Sequence, residues 1–301
     1  MKEIDLVYGE NPHQIARWHQ SDHPFLKSYT KLSFNDLQNL QTAYAVLRNI
    51  REPAALIVKH ANIVGASTSA DFAARLQEAY YTDARAAVNG LFVTNQEIGT
   101  EELAILETLP FDGIAATSFP VGKSRCKRFT LYPQNLWKWI DEEMREMGDG
   151  SRIVQTRFRS RINSIHGCDI YGYLNHSDQN INRILMAWRI ICAIKTNAAV
   201  IVKGSCTYAV AAGHQDGVTA IEHAIYKARN HCSHSHDTRF KGAVLAADGN
   251  FPNDIPVDQI KESGIDCFIL PGNAANDDIL VKQMLEIGCT VLFTRERCFQ
   301  H

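Results

Sequence analysis

Two apolar segments of nearly the same sequence constrain the fold of this chain most. Residues 54–59 read AALIVK, and residues 198–203 read AAVIVK. A short unbroken apolar run is typical of a strand buried on both faces of a sheet. Two further pairs of segments repeat in the same order at a nearly constant offset, residues 90–93 with 242–245 and residues 112–115 with 266–269. This repetition predicts an α/β protein built from two duplicated lobes.

Helical patterns separate the apolar runs. Apolar spacing predicts one helix from Ser69 to about Tyr80, and a second that begins at Ser177 or Asp178 and runs to about Lys195. A third helix is expected to start near Leu136 and to stop at the glycines of residues 147–150. We therefore place the boundary there, with a first lobe of residues 1–150 and a second of residues 151–301.

Composition excludes several classes of function. The chain of 301 residues has a formal net charge of −2, so it has no strong basic excess for binding nucleic acid. The first ten residues are polar, and no apolar stretch approaches the roughly 20 residues that a membrane span needs. Eight cysteines are scattered without a CxxC pair. We expect a cytoplasmic protein that binds a small molecule rather than a membrane or a nucleic acid.

Lys59 and His60 directly follow the first buried strand and are the strongest candidates for chemistry. A lysine can stabilise an oxyanion, and a histidine titrates near neutrality and can act as a base. By spacing alone, a structural role at the strand end is favoured for both. Thr196 and Asn197, before the second strand, could likewise end a helix or line a cleft between the lobes.

The histidines of residues 231–236 suggest a metal site, but an exposed polar loop is the favoured interpretation. No metal site is therefore predicted. Signatures of zinc deaminases, dinucleotide-binding folds and P-loops are not found in the sequence.

An ordered set of motifs resembles the AICAR transformylase family, the formyltransferase half of AICAR transformylase/IMP cyclohydrolase. The motifs run from residue 6 to the last residue, so the resemblance covers essentially the whole chain. They are YGENPHQ (8–14), LSFND (32–36), VKHAN (58–62), KTNA (195–198), AGHQ (212–215), DGNFP (248–252), LPG (270–272) and RCFQH (297–301).

The resemblance implies two tandem cytidine-deaminase-like three-layer lobes, without a cyclohydrolase domain, in a homodimer whose active sites are shared. It implies transfer of a formyl group from 10-formyltetrahydrofolate, the co-substrate, to an amine of AICAR or of a related heteroaromatic molecule. A monovalent cation near Thr196 is expected by the same analogy. The implied site residues are Lys59, His60 and Asn197 for catalysis, Tyr8, Asn62, Asp112, Lys127, Arg297 and Phe299 for the substrate, and Gln215, Asn250, Phe251 and Pro252 for the folate.

Several positions depart from the family pattern. Val7 replaces an arginine, Asp216 stands where the family has a serine beside an arginine, Asn250 replaces an aromatic residue, and Asp36 replaces an asparagine. Retention of Lys59 and His60 with altered pocket walls favours an enzyme with a shifted acceptor or donor, of the kind expected in a specialised pathway. The alternative is a non-catalytic ligand-binding or regulatory dimer on the same scaffold.

Overall fold

A computed structural model describes residues 2–22, 24–138, 140–233, 240–249, 251 and 255–301. In the first half of the chain, the elements in order are β1 (Lys2–Asp5), β2 (Arg17–Gln20), β3 (Leu26–Tyr29), α1 (Phe34–Leu47), β4 (Ala55–Lys59), β5 (Asn62–Ser67), α2 (Phe72–Tyr81), α3 (Ala84–Ala87), β6 (Leu91–Thr94), α4 (Thr100–Leu106), β7 (Gly113–Ala116), β8 (Lys127–Leu131), a 3₁₀ turn (Gln134–Leu136) and β9 (Glu142–Glu146).

The second half repeats much of this order. Its elements are β10 (Arg152–Thr156), a 3₁₀ turn (Ile165–Gly167), β11 (Asp169–Tyr171), α5 (Asp178–Ile191), β12 (Ala199–Lys203), β13 (Cys206–Ala211), α6 (Gly217–Asn230), β14 (Ala243–Ala247), α7 (Val257–Ser263), β15 (Ile265–Leu270), α8 (Asp277–Glu286) and β16 (Thr290–Phe293).

Twelve of the described strands form one mixed sheet in the order β11-β16-β15-β14-β12-β13-β5-β4-β6-β7-β8-β3. The order is mirrored about its centre, where the hairpins β4–β5 and β12–β13 meet. Outside the hairpins, β6, β7 and β8 are parallel, as are β14, β15 and β16. The apolar runs of the sequence all form strands of this sheet, so the predicted α/β class is confirmed.

Helices cover both faces of the sheet and make three layers. On one face, α1 and α5 pack on a single apolar core that extends across both halves of the sheet. On the other face, one core lies under α2, α3 and α4, and a separate core lies under α6, α7 and α8. None of the described helices combines the length and the apolar composition needed to cross a membrane.

Two predicted helices are confirmed and one is wrong. Asp71 caps α2 by accepting from Ala74 N at 2.8 Å, and Ser177 caps α5. The helix expected from Leu136 is instead a short 3₁₀ turn followed by the antiparallel hairpin β9–β10, with the glycines in its tight turn. Residues 142–146 have good helix propensity, but pairing with β10 overrides it. The boundary at residue 150 stays a prediction.

The two halves meet at the ends of β5 and β13, where Ser67 pairs with Cys206. Thr207 reinforces the junction, since its Oγ1 accepts from Ala66 N at 2.8 Å and its carbonyl accepts from Thr82 Oγ1 at 2.8 Å. Helix α2 lies so close to β5 that a Cβ at Gly65 would be 2.0 Å from Ala79 O. A glycine is therefore required at this crossing.

A buried ion pair also joins the halves. Asp83 caps α3 through Ala86 N at 3.1 Å and contacts Lys227 Nζ of α6 at 3.2 Å. Burial alone would raise the pKa of Asp83, but the Ala86 amide and the Lys227 ammonium outweigh it, so this pKa is lowered below its ordinary value of 3.8. The ionised carboxylate is thus favoured by folding.

We predict that Asp83→Asn lowers the free energy of unfolding by about 1–3 kcal/mol at pH 7, because it removes a buried charge pair. A lowered folded pKa means that the contribution of Asp83 is present above pH 3.8 and is lost as the pH falls through the folded pKa. Urea unfolding of both proteins across this range should show the difference shrinking. Asp71→Asn, at an exposed cap, is the control, and a pH-independent difference would contradict the ion-pair account.

Candidate active site

The Lys59–His60 pair lies in a tight turn between β4 and β5. Lys59 pairs with Asn62, and His60 and Ala61 form the two-residue connection with φ values of 52° and 56°. A left-handed backbone costs a non-glycine residue about 1–2 kcal/mol. His60 is exposed at the tip of this turn, and such strain at an exposed polar residue is typical of functional sites.

Helix α1 holds the turn in place. Asn39 Oδ1 accepts from Ala61 N at 2.8 Å, and Thr42 Oγ1 donates to Ala61 O at 3.1 Å. Asn62 Nδ2 donates to His60 O at 3.1 Å, whereas Asn62 Oδ1 is buried without a hydrogen-bond partner among the described residues. The turn is thus fixed by α1 and by the Asn62 amide.

Lys59 itself points to the α3 side of the sheet, where its Nζ donates to Val88 O at 2.6 Å. An ammonium group has three protons, so two remain for other acceptors.

A charged cluster lies at the start of α1. Asp36 is part of a capping box with Ser33, and Lys127 Nζ lies 3.3 Å from Asp36 and 2.8 Å from Asp112. Burial lowers the pKa of Lys127, but the hydrogen bond to Asp112 and the charge of Asp36 outweigh it, so this pKa is raised. Tyr8 adjoins the cluster, since its carbonyl accepts from Phe34 N at 3.2 Å. The structure thus brings Tyr8, Asp112 and Lys127 near one another.

Asn197 lies at the same edge of the sheet as the Lys59–His60 turn. The strands β4 and β13 run in one direction and β5 and β12 in the other, so the end of β4 and the start of β12 share an edge. Lys203, at the end of β12, lies at the opposite edge. Asn197 Nδ2 donates to His214 O at 3.1 Å, which places the exposed Gln215 next to it in the chain.

The C-terminal segment docks beside Asn197. Thr196 N donates to Gln300 O at 3.0 Å, and Lys195 Nζ donates to His301 O at 2.6 Å. Arg297 is exposed and its guanidinium carbon lies 5.4 Å from the centre of the Phe299 ring. Asn197, Arg297 and Phe299 therefore belong to one region of the second half.

The remaining predicted positions differ in environment. Phe251 is buried in the second-half core, 5.8 Å from Phe268 and tight against Gly217, so its ring packs inside the protein. Asn250, Pro252 and the histidines of residues 234–236 lie outside the described residues. Asp216 caps α6 by accepting from Thr219 N at 2.8 Å, which gives this departure from the family pattern a structural role.

Asp248 is a site residue that sequence reasoning gave no role. It is buried at the end of β14, and its Oδ1 accepts from Ala198 N at 2.8 Å. Burial raises the pKa of Asp248 despite the lowering effects of the nearby Thr196 hydroxyl and the Ala198 amide. Asp248 Oδ2 and Thr196 Oγ1 are both buried, and the Thr196 hydroxyl is near enough to lower the pKa of the carboxyl, although neither oxygen makes a hydrogen bond of good geometry within the described part of the chain. Two buried oxygens of this kind suit a hard cation, because such ions bind oxygen ligands.

A cavity of about 330 Å³ lies between α1 and α5, and residues from both halves line it. Ala61 of the turn lines it from the first half, and Lys195 and Gln300 line it from the second. Lys59, His60 and Asn197 do not line it. Within the described ranges, no group of three or more histidine, cysteine, aspartate or glutamate side chains is arranged to hold a metal ion.

Comparisons with known proteins place the chain in a family. A family model described as "AICARFT/IMPCHase bienzyme" matches residues 1–227. The bifunctional purine biosynthesis protein PurH of Buchnera aphidicola subsp. Baizongia pistaciae is 28% identical over 317 residues, which cover 100% of this chain and 58% of that protein. PurH of Bacillus subtilis is 27% identical over 321 residues, which cover 100% of this chain and 59% of that protein. The chain thus spans about three fifths of the length of these relatives. It belongs to the AICARFT/IMPCHase bienzyme family.

Proposed function

We propose that this chain is a formyltransferase that moves a formyl group from 10-formyltetrahydrofolate to an amine of AICAR or of a related small heteroaromatic molecule. Family membership supports the class of reaction. The observation that carries the proposal is the Lys59–His60 turn, strained in the left-handed region, exposed at its tip and tied to α1 by two hydrogen bonds.

In the proposed reaction, the amine nitrogen attacks the formyl carbon and the carbon–N10 bond of the folate then breaks. His60 accepts the proton that the amine loses and returns a proton to N10 as tetrahydrofolate leaves. Val88 O accepts one of the three Nζ protons of Lys59. The other two stabilise the oxyanion of the tetrahedral intermediate. Asn62, whose Nδ2 donates to His60 O, contacts the substrate beside the turn.

The other candidate residues divide between the ligands. Tyr8, Asp112 and Lys127 lie together at the start of α1, and Arg297 and Phe299 present a cation and a ring beside Asn197. These six would hold the acceptor, with Asn197 also orienting the formyl oxygen. Gln215 is exposed next to this region and, with Asn250 and Pro252, is proposed for the folate side. The prediction that Phe251 contacts the folate is not kept, because its ring is buried in the second-half core.

A monovalent cation is proposed at Asp248 and Thr196. The Asp248 carboxyl and the Thr196 hydroxyl are buried oxygen donors of the kind that such an ion needs. A bound cation would fix the segment that carries Asn197, because Asp248 Oδ1 already holds Ala198 N.

A homodimer with shared active sites is also proposed. The hairpin β9–β10 pairs with no other described strand, and an isolated hairpin is marginally stable. Met144 and Val154 lie directly opposite each other on it and are 59% and 56% exposed. An exposed apolar pair on such a hairpin is suited to contact a second copy of the chain.

We predict that His60→Ala lowers kcat for formyl transfer to AICAR about 100-fold or more, because the proton acceptor is lost. Lys59→Met should cause a loss of similar size through the oxyanion. A spectrophotometric assay of tetrahydrofolate release measures both, with His176→Ala and Lys261→Met, at exposed positions, as controls. Wild-type turnover in both site variants would contradict the mechanism, and saturable binding of AICAR without any product would identify a ligand-binding protein instead.

We predict that potassium raises the melting temperature of the wild-type protein by a few degrees relative to tetramethylammonium at equal ionic strength, because the ion binds only the folded state. Asp248→Asn keeps an oxygen for Ala198 N but removes the charge, so the potassium effect should disappear. Asp258→Asn, exposed on α7, is the matched control. Equal stabilisation of wild type and Asp248→Asn would refute the cation site.

We predict that Val154→Asp converts the dimer to a monomer, because it buries an unpaired charge in the proposed interface. Sedimentation velocity measures the change, and Arg152→Asp on the same exposed strand is the comparison. A wild-type protein that sediments as a monomer at all concentrations would exclude this interface.

A further inference from the structure

The His60–Ala61 turn has a counterpart in the second half of the chain, and the two turns are built differently. In the second half, the two-residue connection Gly204–Ser205 joins β12 to β13. Its first residue is a glycine with a φ of 60°, an angle that glycine adopts about as readily as a negative one. The first-half turn has side chains at both of its left-handed positions, so other interactions have to hold it in that conformation.

The helices α1 and α5 are also counterparts. Each contains 14 residues, and each is capped by a serine side chain, Ser33 for α1 and Ser177 for α5. The offset between these two serines is the same as the offset between the repeated runs at residues 54–59 and 198–203. Residues of the two helices can therefore be compared position by position.

Two side chains of α1 hold the first-half turn through its backbone. Asn39 Oδ1 accepts from Ala61 N at 2.8 Å, and Thr42 Oγ1 donates to Ala61 O at 3.1 Å. The peptide group between His60 and Ala61 is held at both ends, because Asn62 Nδ2 donates to its carbonyl, His60 O, at 3.1 Å. Rotation of this peptide group would change the direction in which the His60 side chain leaves the backbone.

The repeat does not supply these two side chains to α5. At the positions of Asn39 and Thr42, α5 has Arg183 and Met186. An arginine side chain has no acceptor and a methionine side chain has no donor, so neither could make the equivalent bond. Arg183 instead pairs with Asp266, and Met186 is buried in the core. The architecture that the two halves share therefore does not require an asparagine and a threonine at these positions.

Helix α1 also links the turn to the charged cluster at its own start. Asp36 contacts Lys127 at 3.3 Å, and Asn39 follows three positions later. Residues three apart lie on the same face of a helix. One rigid element therefore sets the spacing between His60 and the ion pair of Lys127 with Asp112, which is proposed to hold the acceptor.

We propose that Asn39 and Thr42 are positioning residues for formyl transfer, which hold His60 where it accepts the proton of the acceptor amine. This inference rests on the proposed function. Both side chains act through Ala61, so they orient the base without taking part in the chemistry. A displacement of about 1 Å at a reacting group can cost about 100-fold in rate, so bonds of this kind can control turnover.

A double-mutant cycle tests this role. Asn39→Ala should lower kcat about tenfold, because the base is misplaced, and should leave the KM for AICAR within about twofold. In the His60→Ala background, the same substitution should change the residual kcat less than about twofold, because no base remains to be positioned. A tenfold loss in both backgrounds would overturn the proposal, because it would show that Asn39 acts on the fold in general.

Conservative variants separate positioning from folding. Asn39→Asp keeps an oxygen that accepts from Ala61 N, and Thr42→Ser keeps the hydroxyl donor, so both should retain most of the wild-type kcat. Thr42→Val removes the donor and should follow the pattern of Asn39→Ala. Asn230→Ala, exposed at the end of α6, is the matched control and should turn over at the wild-type rate. The same loss in Asn39→Asp as in Asn39→Ala would contradict the proposal.

Hydrogen exchange of the Ala61 amide, measured by NMR, reports the holding of the turn without any turnover. Asn39→Ala should speed this exchange about tenfold while the amides of β4 keep their protection. Unchanged exchange at Ala61 would overturn this proposal alone, even where the wild-type protein transfers the formyl group. Absence of formyl transfer by the wild type would instead refute the proposed function, and the positioning role with it.

Discussion

The antiparallel junction of β5 and β13 is the constraint on which the rest of the molecule depends. The Ser67–Cys206 pair joins β5 to β13, and the hydrogen bond from Thr82 to Thr207 reinforces the junction. The two halves therefore share one sheet. Because the sheet is continuous, α1 and α5 pack on one shared core rather than on two. The same junction removes two exposed strand edges and sets the end of β4 and the start of β12 at one edge.

Much of the sheet could be predicted because its strands are buried on both faces and therefore read as unbroken apolar runs. The central strands β5 and β13 are not predicted by this criterion. Residues 62–67 begin with an asparagine and include Gly65, so they do not read as an unbroken apolar run. The reason for Gly65 is visible only in the fold, where Ala79 O lies against it. The hairpin β9–β10 was mistaken for a helix because local propensity says nothing about a partner strand. Four of the five residues of β9 are charged, so the strand lacks the alternation of apolar and polar residues that would have indicated it.

The candidate site shows the same division between local and tertiary information. Motifs identified Lys59, His60 and Asn197, yet only the topology shows that they share an edge while Lys203 does not. Asp112 and Lys127 were separate candidates, and the fold makes them an ion pair with Asp36. The sequence alone could not identify Asp248 as a site residue, because its proposed role depends on its proximity to Thr196. Thr196 precedes β12, whereas Asp248 follows β14.

At the two-residue turn of His60 and Ala61, the stability of the fold and the proposed chemistry favour different residues. An asparagine–glycine pair would adopt these backbone angles with less strain and would make a more stable hairpin. Evolution under pressure for thermal robustness alone would therefore tend to erase the histidine. A histidine in this conformation makes a weaker hairpin, and a heat-adapted relative that kept it would have to recover the lost stability elsewhere in the protein.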